Sequence, residues 1–118
     1  MEVRNISDGR IGFQIAGPRA RDLLSWITNQ DLSTESFLFL GVRKMAVGVL
    51  PAIVNRNSYT GDLGYEIYVP KDDQIALYHL LNNAGAELGI RPFGMRAMMS
   101  LRLEKGFGLW LREYKPDY

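Results

Sequence analysis

The chain has 118 residues, no cysteine, one histidine and a formal net charge of +1, which bounds it to one domain at most. The lack of cysteine excludes disulfides, thiolate zinc sites and a thiol nucleophile, and it suits a reducing compartment. Lys and Arg are scattered rather than clustered, so no basic face marks a nucleic-acid partner. No apolar run approaches the ~18 residues that cross a bilayer, and residues 1–20 lack a signal-peptide core.

Residues 10–16 alternate Ile11, Phe13 and Ile15 with smaller or polar residues, the period of a strand. Gly17-Pro18 then opens a helix, with proline at its favoured first position. Ala20, Leu23, Leu24 and Ile27 form its amphipathic stripe, and Asn29-Gln30-Asp31 ends it. Residues 37–54 are rich in β-branched and aromatic side chains, with Met45, Val47 and Val49 alternating on one face. Pro51 argues for an edge, a bulge or a break between two strands. Residues 55–63 are turn-rich. Tyr65, Ile67 and Val69 then share one strand face, and Glu66 and Tyr68 the other.

Asp72 is the expected N-cap of the next helix. Leu77, Leu81, Ala84 and Leu88 form its stripe, and Gly89 suits the C′ position. Pro92 starts a third helix that ends near Gly106. The order β-α-β-β-α-α predicts an α+β fold, a mostly antiparallel sheet with covering helices in a ferredoxin-like β-α-β-β-α arrangement. Residues 1–118 read as a single partial domain, cut at both ends. Met1 would then be a start of convenience.

The segment Ser58-Tyr59-Thr60-Gly61-Asp62-Leu63-Gly64-Tyr65-Glu66-Ile67-Tyr68 carries the chemistry. A turn feeding a strand can bring an aromatic ring and an acid to one small ligand. Glu66 reads either as that acid or as a solvated carboxylate on the outer face of an edge strand. Tyr59 suits packing across the turn and ligand contact equally. Asp62 reads as a turn former that uses its side chain on local N–H groups, and Gly61 and Gly64 as positive-φ positions. There is no phosphate-cradling glycine loop. His79 has no companion ligands in sequence, so no metal or triad role is assigned to it.

On the third helix Met95, Met98, Met99 and Arg102 fall in one arc, which places Arg102 on the face expected to be buried. A buried arginine needs a partner. Glu66, Asp62 or loop carbonyls are the candidates, and snorkelling past the methionines is the alternative. The methionines themselves read as core filler. Trp110 and Tyr114 fall on a surface-crossing segment. They suit a neighbouring domain and, without one, self-association.

Three segments carry a family resemblance. Tyr59-Thr60-Gly61-Asp62-Leu63-Gly64-Tyr65-Glu66-Ile67 resembles the Tyr-Thr-Gly-Glu-x-Gly-Tyr-Glu-Ile motif of the tetrahydrofolate-dependent aminomethyltransferases, the glycine-cleavage T-protein family. Ser100-Leu101-Arg102-Leu103-Glu104-Lys105-Gly106 resembles its downstream Ser-Leu-Arg-Leu-Glu-x-Gly, and Phe13-Gln14-Ile15-Ala16-Gly17-Pro18 an upstream strand-turn. Arg91-Pro92-Phe93-Gly94-Met95-Arg96-Ala97 and the tail over residues 110–118 are similar to the dimethylglycine and sarcosine dehydrogenase branch.

The resemblance implies the folate-binding region of a dehydrogenase-like enzyme that passes a one-carbon unit from an N-methyl amine to tetrahydrofolate. FAD would serve the parent protein outside these residues, and the partners would be folate and the parent's other domains, with no nucleic acid or membrane. The setting would be cytoplasmic, or the mitochondrial matrix in a eukaryote. The family's pterin-site tyrosine falls on Tyr59 and its pterin-binding glutamate on Glu66, and Arg102 is carried with them as a cofactor-site residue. An ionised carboxylate accepts two adjacent N–H donors of an aminopyrimidinone edge, and a tyrosine ring offers it a flat face.

Two departures stand out. The family arginine for the folate tail falls on Met98, so that contact is lost, or supplied by Arg96 or Arg102, or not needed. The family's catalytic aspartate lies upstream of these residues and has no counterpart here, so no catalytic residue is assigned and the fragment alone is expected to be inactive. The alternatives are a structural module of the same fold without folate affinity, or a demethylase using another methyl donor, such as a sulfonium compound.

Overall fold

The computed structural model describes residues 1–110, 112–114 and 116. Within the tail over residues 110–118, Leu111, Lys115, Asp117 and Tyr118 lie outside the described residues. Four strands, β1 (Arg10–Ala16), β2 (Val42–Val47), β3 (Leu50–Asn55) and β4 (Gly64–Pro70), form one antiparallel sheet in the order β1-β4-β3-β2. Three helices accompany it: α1 (Ala20–Ser25), α2 (Gln74–Gly85) and α3 (Met95–Glu104). This is an α+β fold with an antiparallel sheet, as the sequence predicts.

The sheet has one strand more than the sequence order gave. Residues 37–54 do not form one strand: the segment turns at Gly48-Val49, where Gly48 adopts φ +60°, and β2 and β3 pair from Val42↔Asn55 to Val47↔Leu50. Met45 and Val47 are buried as expected, but Val49 stands at the turn and is 94 % exposed. Pro51 sits in an interior strand. It is tolerated because β3 pairs with β4 only through Ile53, Val54 and Asn55, so its missing N–H leaves no ladder bond unmade on that side.

The core lies on one face of the sheet. Tyr65, Ile67 and Val69 of β4 are fully buried there, with Ile15 of β1 and Val54 of β3. Leu23 and Leu24 of α1 and Leu77 and Leu81 of α2 close it. Two capping expectations differ from what forms. Asp72 falls in a short 3-10 turn over Lys71–Asp73, and no side chain caps α2. Pro18 and Pro92 lie ahead of their helices rather than at the first helical position. Gly89 does take the left-handed conformation after the second helix.

The methionines of α3 are not core filler. Met95 is 65 % exposed, Met98 and Met99 are half-buried, and the one fully buried α3 side chain is Arg102. Burial on α3 is therefore built around a charge. The reason is a partner that sequence spacing does not reveal, described below.

Candidate functional site

Strand β4 is central, with β1 on one side and β3 on the other, so Glu66 is not on an edge strand. The register sets Gln14 of β1 and Asn55 of β3 directly opposite Glu66. Residues paired across a sheet project to the same face. Gln14, Glu66 and Asn55 therefore form one polar row on the face opposite the core, half-buried throughout.

Within that row Glu66 is held by two donors. Asn55 Nδ2 donates to Oε2 at 3.2 Å and Tyr68 Oη donates to the same oxygen at 3.0 Å. Oε1 accepts no hydrogen bond among the described residues. Tyr68 is positioned in turn by Gly12, its partner across β1. A Cβ at Gly12 would lie 2.7 Å from the Tyr68 ring, so the ring occupies the space that a side chain would fill. Partial burial, and then the bond and charge of Glu66, push the Tyr68 hydroxyl above its ordinary pKa.

Two buried polar atoms in the row have no hydrogen-bond partner among the described residues: Gln14 Nε2 and Asn55 Oδ1. Buried polar groups are nearly always hydrogen-bonded, so two orphans flanking one carboxylate mark an unusual place. Neither residue was singled out by its sequence. Their signal is the strand register, which a single sequence does not contain.

The motif loop leaves β3 at Asn55 and re-enters the sheet at Gly64. It is built by hydroxyls rather than by Asp62, which is exposed. Ser58 Oγ and Thr60 Oγ1 are 2.8 Å apart, Thr60 N donates to Ser58 Oγ at 3.2 Å, and Asp62 N donates to Thr60 Oγ1 at 3.4 Å. Thr60 is buried. Gly61 has φ +83°, as expected, whereas Gly64 has no positive φ. Gly64 is needed for close approach: a Cβ there would lie 2.7 Å from Ser58 Cβ and 3.0 Å from the Ile15 carbonyl. Tyr59 is half-buried in this loop, and no hydrogen bond joins it to Glu66.

Arg102 is 2 % exposed and is paired, but not with Glu66 or Asp62. Its guanidinium meets both carboxylate oxygens of Glu113, at 3.0 and 3.3 Å, and donates to the Phe107 carbonyl at 2.7 Å. Of the expected partners, the loop carbonyl is the one realised. Glu113 also accepts from Leu109 N at 2.6 Å. That backbone bond, and then Arg102, hold the Glu113 carboxyl below its ordinary pKa. The pair folds the segment after α3 back onto the helix, and Trp110 packs beside Tyr114 there, 74 % exposed.

A cleft of about 660 Å³ runs along the free edge of β1 between α2 and the start of α3, within the size range of small-molecule sites. Its walls include Gln14, Leu23, Tyr78, Phe93 and Met98. Glu66, Tyr59 and Arg102 do not line it. Gln14 alone belongs both to the cleft and to the polar row. Met98, where the family arginine falls, contributes an apolar wall.

A family model described as the GCVT N-terminal domain matches residues 1–118. The chain belongs to this family. The GCVT domain is 44 % identical over 117 residues to human mitochondrial dimethylglycine dehydrogenase, covering 99 % of this chain and 14 % of that one. It is 34 % identical to the aminomethyltransferase of Caldanaerobacter subterraneus, covering 99 % of this chain and 31 % of that one. The chain thus spans under a third of either relative. Among solved structures it resembles the heterotetrameric sarcosine oxidase of Corynebacterium sp. U-96 bound to pyrrole 2-carboxylate. The TM-score is 0.68 at 22 % identity, over 79 % of this chain and 46 % of that one, a likeness of fold. No helix among the described residues is long and apolar enough to cross a membrane.

Proposed function

We propose that this GCVT domain contributes the pterin-binding wall of a tetrahydrofolate-dependent aminomethyltransferase region, in a protein of the dimethylglycine dehydrogenase kind. The observation that carries the reading is Glu66: a carboxylate on a central strand, fixed through Oε2 by Asn55 and Tyr68, with Oε1 unengaged. An anchored carboxylate with a free oxygen fits a ring edge that presents N–H donors. The two unpaired polar atoms beside it support a ligand at this place rather than a bare surface.

Glu66 would hold and orient the ring, and Tyr59, on the adjoining loop, would offer its aromatic face. Tetrahydrofolate, when bound, supplies the ring nitrogens that accept the one-carbon unit. The chain's own contribution is then positioning, which accelerates a reaction by fixing the partners in place. Arg102 no longer suits ligand contact, because its guanidinium is engaged with Glu113 and Phe107. We assign it to anchoring the segment after α3. FAD, the amine substrate and the remaining domains belong to the parent protein, where a mitochondrial setting accords with the human relative.

A structural module without folate affinity is the second reading. It is favoured by Met98, which replaces a tail-binding arginine with an apolar wall of the cleft. A thermal-shift series with tetrahydrofolate under reducing, oxygen-free conditions separates the two. A ligand at 100 times its Kd stabilises the folded state by about 2.7 kcal/mol. A melting temperature that climbs with ligand concentration supports folate binding, and a flat response supports the structural module.

A further inference from the structure

We infer that the free edge of β1 is a strand-docking slot, filled in the parent protein by an extended segment from another part of the same polypeptide. The inference is independent of the folate reading and goes beyond it.

Strand β1 ends the sheet on one side, and its pairing with β4 fixes where its backbone points. Lys71 N donates to Gly9 O, and Gly17 N donates to Leu63 O, which extends the β1–β4 register by one residue at each end. In an antiparallel pair such hydrogen-bonded positions alternate with positions that face away. Ile11, Phe13 and Ile15 therefore serve the β1–β4 ladder. Arg10, Gly12, Gln14 and Ala16 turn their N–H and C=O groups outward, where they meet no backbone partner among the described residues. A row of unpaired donors and acceptors is a template for a further strand. The two edges of the sheet differ in this respect. Strand β2, at the other edge, carries Arg43 and Lys44, and charge on an edge strand discourages pairing. From Ile11 to Ala16, β1 has no charge, no proline and no break in its register.

The topology points to the same place. A ferredoxin-like arrangement adds a last strand after its second helix, separated from its parallel mate by one strand. Strand β4 leads into α2, so that last strand belongs one position beyond β3 or one beyond β1. The position beyond β3 is held by β2, and the position beyond β1 is the free edge. Among the described residues no strand follows α2: the chain passes through a 3-10 turn at Ala86–Leu88 into α3. Residues 88–95 line the cleft beside β1 instead of joining the ladder.

The cleft defines the occupant. Leu23 and Leu81 come from α1 and α2, and Ile90, Phe93 and Met98 from the chain beyond α2, apolar surfaces that suit the alternating side chains of a strand. Among the described residues its charged lining is Arg19 and Arg91, with no carboxylate. Arg19 is paired with Asp22, whereas Arg91 has no carboxylate partner among the described residues. The occupant is therefore a single extended, mostly apolar segment with an acidic residue at Arg91. This chain spans 14 % of the human dimethylglycine dehydrogenase it resembles, and a protein of that kind has the polypeptide to supply such a segment.

The test is residue-resolved amide hydrogen exchange on the 118-residue chain and on the full-length parent protein. In the chain alone the amides of Gly12, Gln14 and Ala16 should exchange freely, while those of Phe13 and Ile15 are protected. In the parent, Gly12, Gln14 and Ala16 should exchange at least about tenfold more slowly. Gln14→Pro removes one outward N–H without touching the β1–β4 ladder, and Arg91→Glu reverses the charge at the exposed rim. In the parent each should return Gly12 and Ala16 toward their fast rates, with circular dichroism unchanged. Should Gln14→Pro lose its fold, Arg91→Glu decides alone. Equally fast exchange of Gly12 and Ala16 in parent and chain overturns the inference. Protection that survives the substitutions overturns it too, because the cleft is then covered by the face of a neighbouring domain. So does protection already present in the chain alone, where a second copy or residues 88–95 would fill the slot.

Discussion

Replacing Gly64 with alanine tests how the motif loop is seated. Gly64 opens β4 opposite Ala16 and is buried. The added Cβ would lie 2.7 Å from Ser58 Cβ and 3.0 Å from the Ile15 carbonyl oxygen. Carbon pairs rest at about 3.5–4.0 Å, so the shortfall against Ser58 is roughly 0.8 Å or more. The carbonyl belongs to the β1–β4 ladder and cannot retreat. The loop must move instead, and with it the Ser58–Thr60 hydroxyl pair and Tyr59. Overpacking of this kind costs about 1–3 kcal/mol. The immovable backbone atom places this case near 2 kcal/mol, a drop in melting temperature of roughly 6–10 °C for a domain of this size.

Gly94→Ala is the control, since nothing lies within 4 Å of its added Cβ and its φ is −99°. The assay is urea unfolding followed by far-ultraviolet circular dichroism. Adding Ser58→Gly to Gly64→Ala should recover part of the loss, because it empties the space the new methyl needs. Unfolding of Gly64→Ala within about 0.5 kcal/mol of wild type, or an equal cost in Gly94→Ala, would show that Gly64 does not seat the loop by close approach.

Other perturbations give equally definite expectations. Ile67→Ala opens a cavity at the centre of the core, where the side chain is fully buried, and should cost about 2–5 kcal/mol in the same urea assay. Tyr68 should ionise above the ordinary tyrosine range in an ultraviolet titration, and Glu66→Gln should bring it down. A raised folded pKa means its stabilising share is full below the unfolded pKa of about 10 and fades as pH climbs through the folded value. Tyr68→Phe should accordingly extend stability at the alkaline end. Glu113 shifts the other way: its share is present above the ordinary carboxylate pKa and is lost as pH falls through the depressed folded value. Trp110 fluorescence, read in a Trp26→Phe background, should therefore report loosening of the tail segment on acidification. Glu113→Gln should abolish that transition.

Much of this fold is written locally. The alternation in residues 10–16 and 64–70 is a period-2 signal, and both segments are strands: Tyr65, Ile67 and Val69 are buried as expected, whereas on β1 Ile15 is buried and Ile11 and Phe13 are half-buried. Leu77 and Leu81 likewise mark the buried face of α2. What local patterns could not carry was pairing. Residues 37–54 have β-rich composition throughout, so nothing in their hydrophobicity marks Gly48-Val49 as a turn rather than a pause. Arg102 was legible as a buried charge from its place on the helix, but Glu113 lies eleven residues away, past the helix end, where no helical spacing links them. Gln14 and Asn55 are ordinary strand polars by sequence. Only the register that sets them on either side of Glu66 gives them meaning. The motif loop misled in a similar way: Asp62 has turn-forming chemistry, yet Ser58 and Thr60 perform that role because their hydroxyls face one another.

A calorimetric titration of tetrahydrofolate into wild type and Glu66→Gln decides whether Glu66 is a ligand for the pterin ring. Glutamine keeps the shape and one carbonyl acceptor but loses the charge, and hydrogen bonds to a charged group contribute about 1.5–3 kcal/mol. Saturable wild-type binding should weaken by roughly 10- to 150-fold in Glu66→Gln, with the fold unchanged by circular dichroism. Equal affinity in the two proteins would contradict it and would return Glu66 to the surface of its strand.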